Sequence, residues 1–171
     1  AAVQGKTTGA IQQFDEIKLK DSSKRLPVVL YLHEFSFAHG YAAGYSFQGG
    51  NGNKLLFEQF LSQGIAVLAF EQIGFGGRIE EVSAFYKRFP NWSILGNMVA
   101  DTKSWIPCLE NLPWIDSNKI WLVGNSLGGT VSLLTGMFEP KVAGVLCING
   151  YSSWKKEPQA SPWLTGLTVH M

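Results

Sequence analysis

Short apolar runs alternate with helically spaced stretches along this chain. Pro27-Val28-Val29-Leu30-Tyr31-Leu32-His33 is almost continuously apolar, as expected for a strand covered on both faces. Ile65 to Phe70 and Val142 to Ile148 read the same way, and Ile120-Trp121-Leu122-Val123 is a further run of this kind. Between the runs the period lengthens. Asn53 precedes Leu56, Phe57, Phe60 and Leu61, so a helix capped by Asn53 and stopped by Gly64 is predicted. Leu95, Met98, Val99, Thr102, Ile106 and Leu109 predict another over 93–112. Pro107 should kink or split it, because proline removes the bond to Lys103 and crowds that carbonyl. Thr130-Val131-Ser132-Leu133-Leu134 opens a third helix directly after the Ile120 run. Phe14, Ile17 and Leu19 suggest an additional strand near the start, after a polar, Gly/Thr-rich arm over 1–13. Residues 34–52 and 71–92 read as long loops, the second with a helical turn over 79–88, and 151–171 as an irregular tail.

Strands alternating with amphipathic helices predict an α/β fold, a mostly parallel sheet with helices on both faces. Ligands of such sheets bind at the carboxyl ends of the strands. That edge gathers the loop after His33, the loop from Glu71, Ser126 and the segment after Asn149.

Gly124-Asn125-Ser126-Leu127-Gly128 joins an apolar strand to a helix, the context that a nucleophile elbow requires. A serine hydroxyl is a weak nucleophile at neutral pH and must stand clear of its backbone to meet a base. Gly124 and Gly128 suit a turn where side chains would strike the neighbouring strand and helix. The plainer alternative is a glycine-rich turn whose serine caps a helix. Ser126 is the candidate nucleophile.

Composition narrows the classes further. A chain of 171 residues with 46% hydrophobic and 16% charged residues suits a single domain with a sizeable core. A net charge of +1 and the lack of any long Lys/Arg cluster argue against a nucleic-acid partner. No apolar run approaches the roughly 18 residues of a membrane span. No signal peptide is visible in this stretch, export stays open, and the compartment is unknown. Cys108 and Cys147 are expected to be buried free thiols. Asn91-Trp92-Ser93 fits a glycosylation acceptor, too common a tripeptide to place the protein. The glycines of Glu71-Gln72-Ile73-Gly74-Phe75-Gly76-Gly77-Arg78 do not spell a dinucleotide fingerprint. No cofactor and no metal site is predicted. Glu71 and Arg78 are expected to form a salt bridge that orders this loop.

The elbow resembles that of the α/β-hydrolase superfamily. Tyr31-Leu32-His33-Glu34-Phe35-Ser36-Phe37 and the Glu71–Arg78 loop resemble bacterial serine esterases of the acetyl xylan esterase and dienelactone hydrolase type, over about residues 25–150. The resemblance implies a serine nucleophile at Ser126 and two backbone oxyanion donors. One is the N–H of Leu127; the other is that of Phe35, or of Glu34. Fixed N–H dipoles there stabilise the charge growing on a tetrahedral oxygen. It also implies a small-molecule or carbohydrate ester as substrate.

In the superfamily an acid and then a histidine follow the nucleophile. After Ser126 the only acids are Glu139 and Glu157 and the only histidine is His170. Glu157 and His170 are the candidate acid and base if the triad is complete within this chain. His33 and His39 precede the serine, and a loop-shaping role is favoured for His33. The expectation is therefore an incomplete hydrolase domain over 1–171, lacking the strands that carry the acid and the histidine and weak or inactive by itself. Its Val142–Ile148 strand would stand at an exposed edge, to pair with the missing part or with another chain. Two alternatives stay open, a serine peptidase of the same fold and a non-catalytic, hydrolase-like binding module.

Overall fold

Four of the apolar runs become strands of one parallel sheet. The structure, a computed structural model, describes residues 24–36, 40–42 and 52–151. Among them β1 (Leu26–Leu32), β2 (Ala66–Ala69), β3 (Ile115–Asn125) and β4 (Gly144–Ile148) lie in the order β2-β1-β3-β4. The helices are α1 (Gly52–Ser62), α2 (Glu81–Arg88), α3 (Ile94–Glu110) and α4 (Leu127–Phe138), with short 3-10 turns at Gly40–Ala42 and Gly76–Arg78. The suggested strand around Phe14–Leu19, the arm over 1–13 and residues 152–171 of the tail lie outside the described residues.

Alternation along β1 and β3 divides the core between the two faces. Val28, Leu30 and Leu32 with Ile120 and Leu122 pack on Met98, Ile106 and Leu109 of α3 and on Leu127 and Val131 of α4. Val29, Tyr31, Val67 and Val123 pack instead on Phe57 of α1. Both faces of β1 are thus covered, which is why its sequence is apolar throughout.

Several local expectations need correction. Asn53 does not cap α1, because it lies inside the helix. Its Oδ1 accepts the Tyr31 hydroxyl at 2.7 Å and its Nδ2 donates to the Tyr41 carbonyl at 3.1 Å. Gly64 does end α1, at φ 72°, with its N–H bonded to the Leu61 carbonyl at 3.0 Å. The helical turn expected over 79–88 is the helix α2, over Glu81–Arg88. Ser93 caps α3, accepting the Gly96 N–H at 2.8 Å, and Pro107 does not split that helix. Pro107 sits in the last turn, where buried Ile106 and Leu109 hold either side of it against the sheet. Neither thiol is buried. Cys108 is exposed on α3 and Cys147 is half-buried, and both are free.

β3 reaches further back than the Ile120 run. Ile115 pairs with Leu26, and the register then shifts so that Ile120 pairs with Val28. Asp116–Lys119 form the excursion. Asp116 Oδ1 accepts the Asn118 N–H at 3.1 Å, and Lys119 lies 3.1 Å from Asp116 Oδ2. From Ile120 onward β3 runs in step with β1, and Leu32 faces Gly124. The two chains therefore leave the sheet side by side. Among the described residues β4 is the outermost strand on the other side of β3, with Leu146 52% and Ile148 38% exposed beside a Trp121 that is 43% exposed.

Candidate active site

The last residues of β3 and the first of α4 make a turn that the backbone resists. Ser126 has φ 51° and ψ −117°, a region that side chains rarely enter. Such a conformation persists only where its surroundings impose it, and they are visible. The Ser126 N–H donates to the Ile148 carbonyl of β4 at 2.8 Å, and its carbonyl receives the Thr130 N–H at 3.1 Å. Thr130 Oγ1 donates to the Gly150 carbonyl at 2.6 Å, drawing the chain beyond β4 onto the same helical turn. Ser126 itself is exposed.

Two glycines permit the turn. A Cβ on Gly124 would strike the Gly128 carbonyl, and a Cβ on Gly128 would strike the Leu32 carbonyl at the end of β1. The helix thus packs backbone to backbone on the strand behind the serine. Leu127 is the first residue of α4, so its N–H belongs to the donors that no helical carbonyl satisfies. Phe35 follows β1 by three residues, and its ring meets Phe75 edge-on at 5.1 Å. Since Leu32 faces Gly124, Phe35 and Leu127 leave the sheet at the same edge.

His33 is fully buried, and both ring nitrogens are engaged. Nδ1 lies 2.7 Å from the Glu34 carbonyl, and Nε2 accepts the Gln72 N–H at 3.2 Å. Burial holds its pKa below the ordinary histidine value. It ties the β1 exit to the β2 exit and offers no nitrogen to Ser126. Among the described residues no side chain hydrogen-bonds the Ser126 hydroxyl. His39, Glu157 and His170 lie outside the described residues.

The Glu71–Arg78 salt bridge does not form. Arg78 spends its guanidinium on acids of α2 and α3. Nε and Nη2 reach Glu81 at 2.9 and 2.7 Å, Nη1 reaches Asp101 at 2.8 Å, and only the main-chain carbonyl of Glu71 is contacted, at 3.1 Å. The Glu71 carboxyl sits between Gly40 and Gly76, filling the space that a Cβ on either would need. Its Oε2 is buried with no hydrogen-bond partner among the described residues. Burial, partly offset by Arg78, pushes its pKa up from 4.5 to about 7. The unfolded chain releases this proton near the lower value and the folded chain near the higher. Stability therefore falls as pH rises from about 4.5 to about 7 and stays lowered above it. Full conversion of such a shift would give about 3 kcal/mol, but the side chain is only half-buried, and solvent screening leaves about 1 kcal/mol. Glu71→Gln is expected to recover that amount in urea unfolding at pH 8 and almost nothing at pH 4. An equal change at both values would disprove the ionisation account.

The Tyr31–Asn53 bond, the Gln72–His33 pair and the Thr130–Gly150 bond carried no sequence signal beyond their neighbours. Tyr31 and Thr130 read as core and helix, and Gln72 as one polar loop residue among several. Only the folded register joins them to their partners.

No protein-family model and no curated protein sequence matches the chain. Solved structures do match it in fold. The 2,6-dihydroxy-pseudo-oxynicotine hydrolase superposes with a TM-score of 0.61 at 20% identity, over 82% of this chain and 34% of its own. A glucuronoyl esterase from Solibacter usitatus gives 0.59 at 17% identity, over 87% and 47%. Acetyl xylan esterase 1 from a Thermoanaerobacterium species gives 0.52 at 20%, over 72% and 39%. The chain has the α/β-hydrolase fold, and it spans between about a third and a half of the length of these proteins.

Proposed function

We propose that this chain is the nucleophile-bearing portion of a serine hydrolase that cleaves acetyl or other short acyl esters through an acyl-enzyme. The observation that carries the reading is the backbone of Ser126. Its positive φ lifts an exposed hydroxyl between a parallel strand and a helix N-terminus, and at Gly124 and Gly128 any side chain would strike the backbone on which this turn closes. A turn that only capped a helix would need none of that strain.

In this reading Ser126 Oγ attacks the ester carbonyl carbon. The N–H groups of Leu127 and Phe35 hold the oxygen that becomes negative. The alcohol leaves with the proton taken from the serine, and water then releases the acid. A histidine moves those protons, oriented by an acid, and both come from outside the described residues. Glu157 and His170 stand in the required order, and a further part of a longer protein is the other source. The same longer protein, or a second chain, supplies a strand for the edge of β4 that no described strand pairs. The acetyl xylan esterase among the matched folds supports a sugar as the alcohol side of the ester.

The test is a panel of acyl esters set against peptide amides, assayed on the whole protein with and without Ser126. Short acyl esters, acetylated sugars included, should turn over at least about 10²-fold faster than the amides, a difference of about 3 kcal/mol in barrier. Preferential amide cleavage would make the protein a peptidase. Binding of esters without turnover would make it a hydrolase-like binding module.

A further inference from the structure

The peptide between Glu34 and Phe35 is one rigid unit. A trans amide points its carbonyl and its N–H in opposite directions, so holding one aims the other. Here the carbonyl is held. Glu34 O lies 2.7 Å from His33 Nδ1, and the identity of the proton between them follows from the far side of the ring. The Gln72 main-chain N–H can only donate, so Nε2, at 3.2 Å, must accept, and Nδ1 must carry the hydrogen.

The Gln72 side chain closes the arrangement by donating from Nε2 to the His33 carbonyl at 2.9 Å. It does so while leaving its own Oε1 buried without a hydrogen-bond partner among the described residues, a costly state for an amide. Both residues are fully buried, and Phe75 walls the imidazole edge-on at 5.2 Å. The same His33 carbonyl lies against Gly128, two residues beyond the nucleophile. Three chain segments, the exits of β1 and β2 and the first turn of α4, are thus fixed to one another at this point.

We infer that His33 and Gln72 are positioning residues for acyl transfer, holding the Glu34–Phe35 peptide so that the Phe35 N–H is aimed at the forming oxyanion beside the Leu127 N–H. The inference rests on the esterase reading for its chemistry and adds two residues that touch no substrate. His33 acts as a neutral, singly protonated ring throughout and exchanges no proton with the serine.

The test is labelling of the whole protein with an alkyl fluorophosphonate. The Ser126 oxygen bonds to phosphorus, fluoride leaves, and the hydroxyl proton passes to a base or to water. His33→Phe keeps the ring and removes both nitrogens. It should lower the limiting labelling rate about 10²-fold, the scale of one lost oxyanion donor, with the half-saturating probe concentration unchanged. His33→Asn can restore a donor near the Nδ1 position and should regain much of the rate. Gln72→Leu drops only the side-chain donor and should cost about ten-fold, roughly the worth of one hydrogen bond. Wild-type rates in folded His33→Phe or in Gln72→Leu overturn the inference.

Nitrogen-15 spectra of the wild-type imidazoles decide independently of any variant's folding. An Nδ1–H tautomer for His33 at neutral pH is expected, and an Nε2–H tautomer overturns the positioning role even where Ser126 is labelled. A whole protein with the Nδ1–H tautomer whose Ser126 is never labelled overturns the esterase reading, and the positioning role with it.

Discussion

Ser126→Ala is expected to lower turnover of a short acyl ester by the whole protein by about 10⁴- to 10⁶-fold, the range seen when a serine nucleophile is removed. The Michaelis constant should change little. The methyl side chain fits where the hydroxymethyl stood, and neither the glycines behind the turn nor the backbone N–H groups are disturbed. What is lost is the covalent step, because no acyl-enzyme can form on alanine. Residual catalysis should be that of oriented donors acting on water. A variant with near-wild-type turnover would remove the serine mechanism, and the strained backbone at Ser126 would then need another explanation. Thermal unfolding is an informative companion. Relief of side-chain constraint at a positive φ is small between serine and alanine, so the midpoint should hold within a few degrees, while activity collapses.

The second large effect concerns the packing beneath the turn. Gly128→Val should lower folding stability by about 3 kcal/mol or more, beyond the usual range for an overpacked core, and abolish activity with it. A branched side chain at this position meets the Leu32 carbonyl, and behind that the His33 carbonyl. The first belongs to β1, where Leu32 pairs with Gly124 of β3, and the second is held by the Gln72 side chain. No rotamer escapes them, so the helix must lift off the strand or the strand must leave the sheet. Urea unfolding of the variant measures this. Unchanged stability with lost activity would mean that Gly128 serves the chemistry alone and that the close-packing argument is wrong.

Much of this architecture was legible in the residues. β1 shows itself as an unbroken apolar run because α1 covers one face of it and α3 and α4 the other. The elbow is legible because its glycines, its serine and the change of period fall together within a few positions. The helix over α2 was harder to see. Its apolar positions are few, Phe85 alone being buried, and the helix owes its place to Arg78, whose guanidinium joins Glu81 to Asp101 of α3. The Glu71–Arg78 pairing failed for the same reason. Arg78 pairs instead with Glu81, nearer to it in sequence than Glu71, and with Asp101 of α3, which leaves Glu71 between two glycines. Asn53 looked like a cap by composition, and the buried Tyr31 hydroxyl claimed its side chain instead. Such choices depend on which long-range partner arrives, and no local pattern records that.

The central claim is that Ser126 is a nucleophile and not a helix cap. It is tested most directly by exposing the whole protein to an activated acyl or phosphonyl ester and locating the adduct by mass spectrometry of the intact protein and of its peptides. The account predicts one adduct per chain, on the peptide carrying Gly124-Asn125-Ser126-Leu127-Gly128, absent from Ser126→Ala and absent from chain unfolded in urea before exposure. Adducts spread over lysines and tyrosines, or labelling that persists in Ser126→Ala at the wild-type rate, would contradict it.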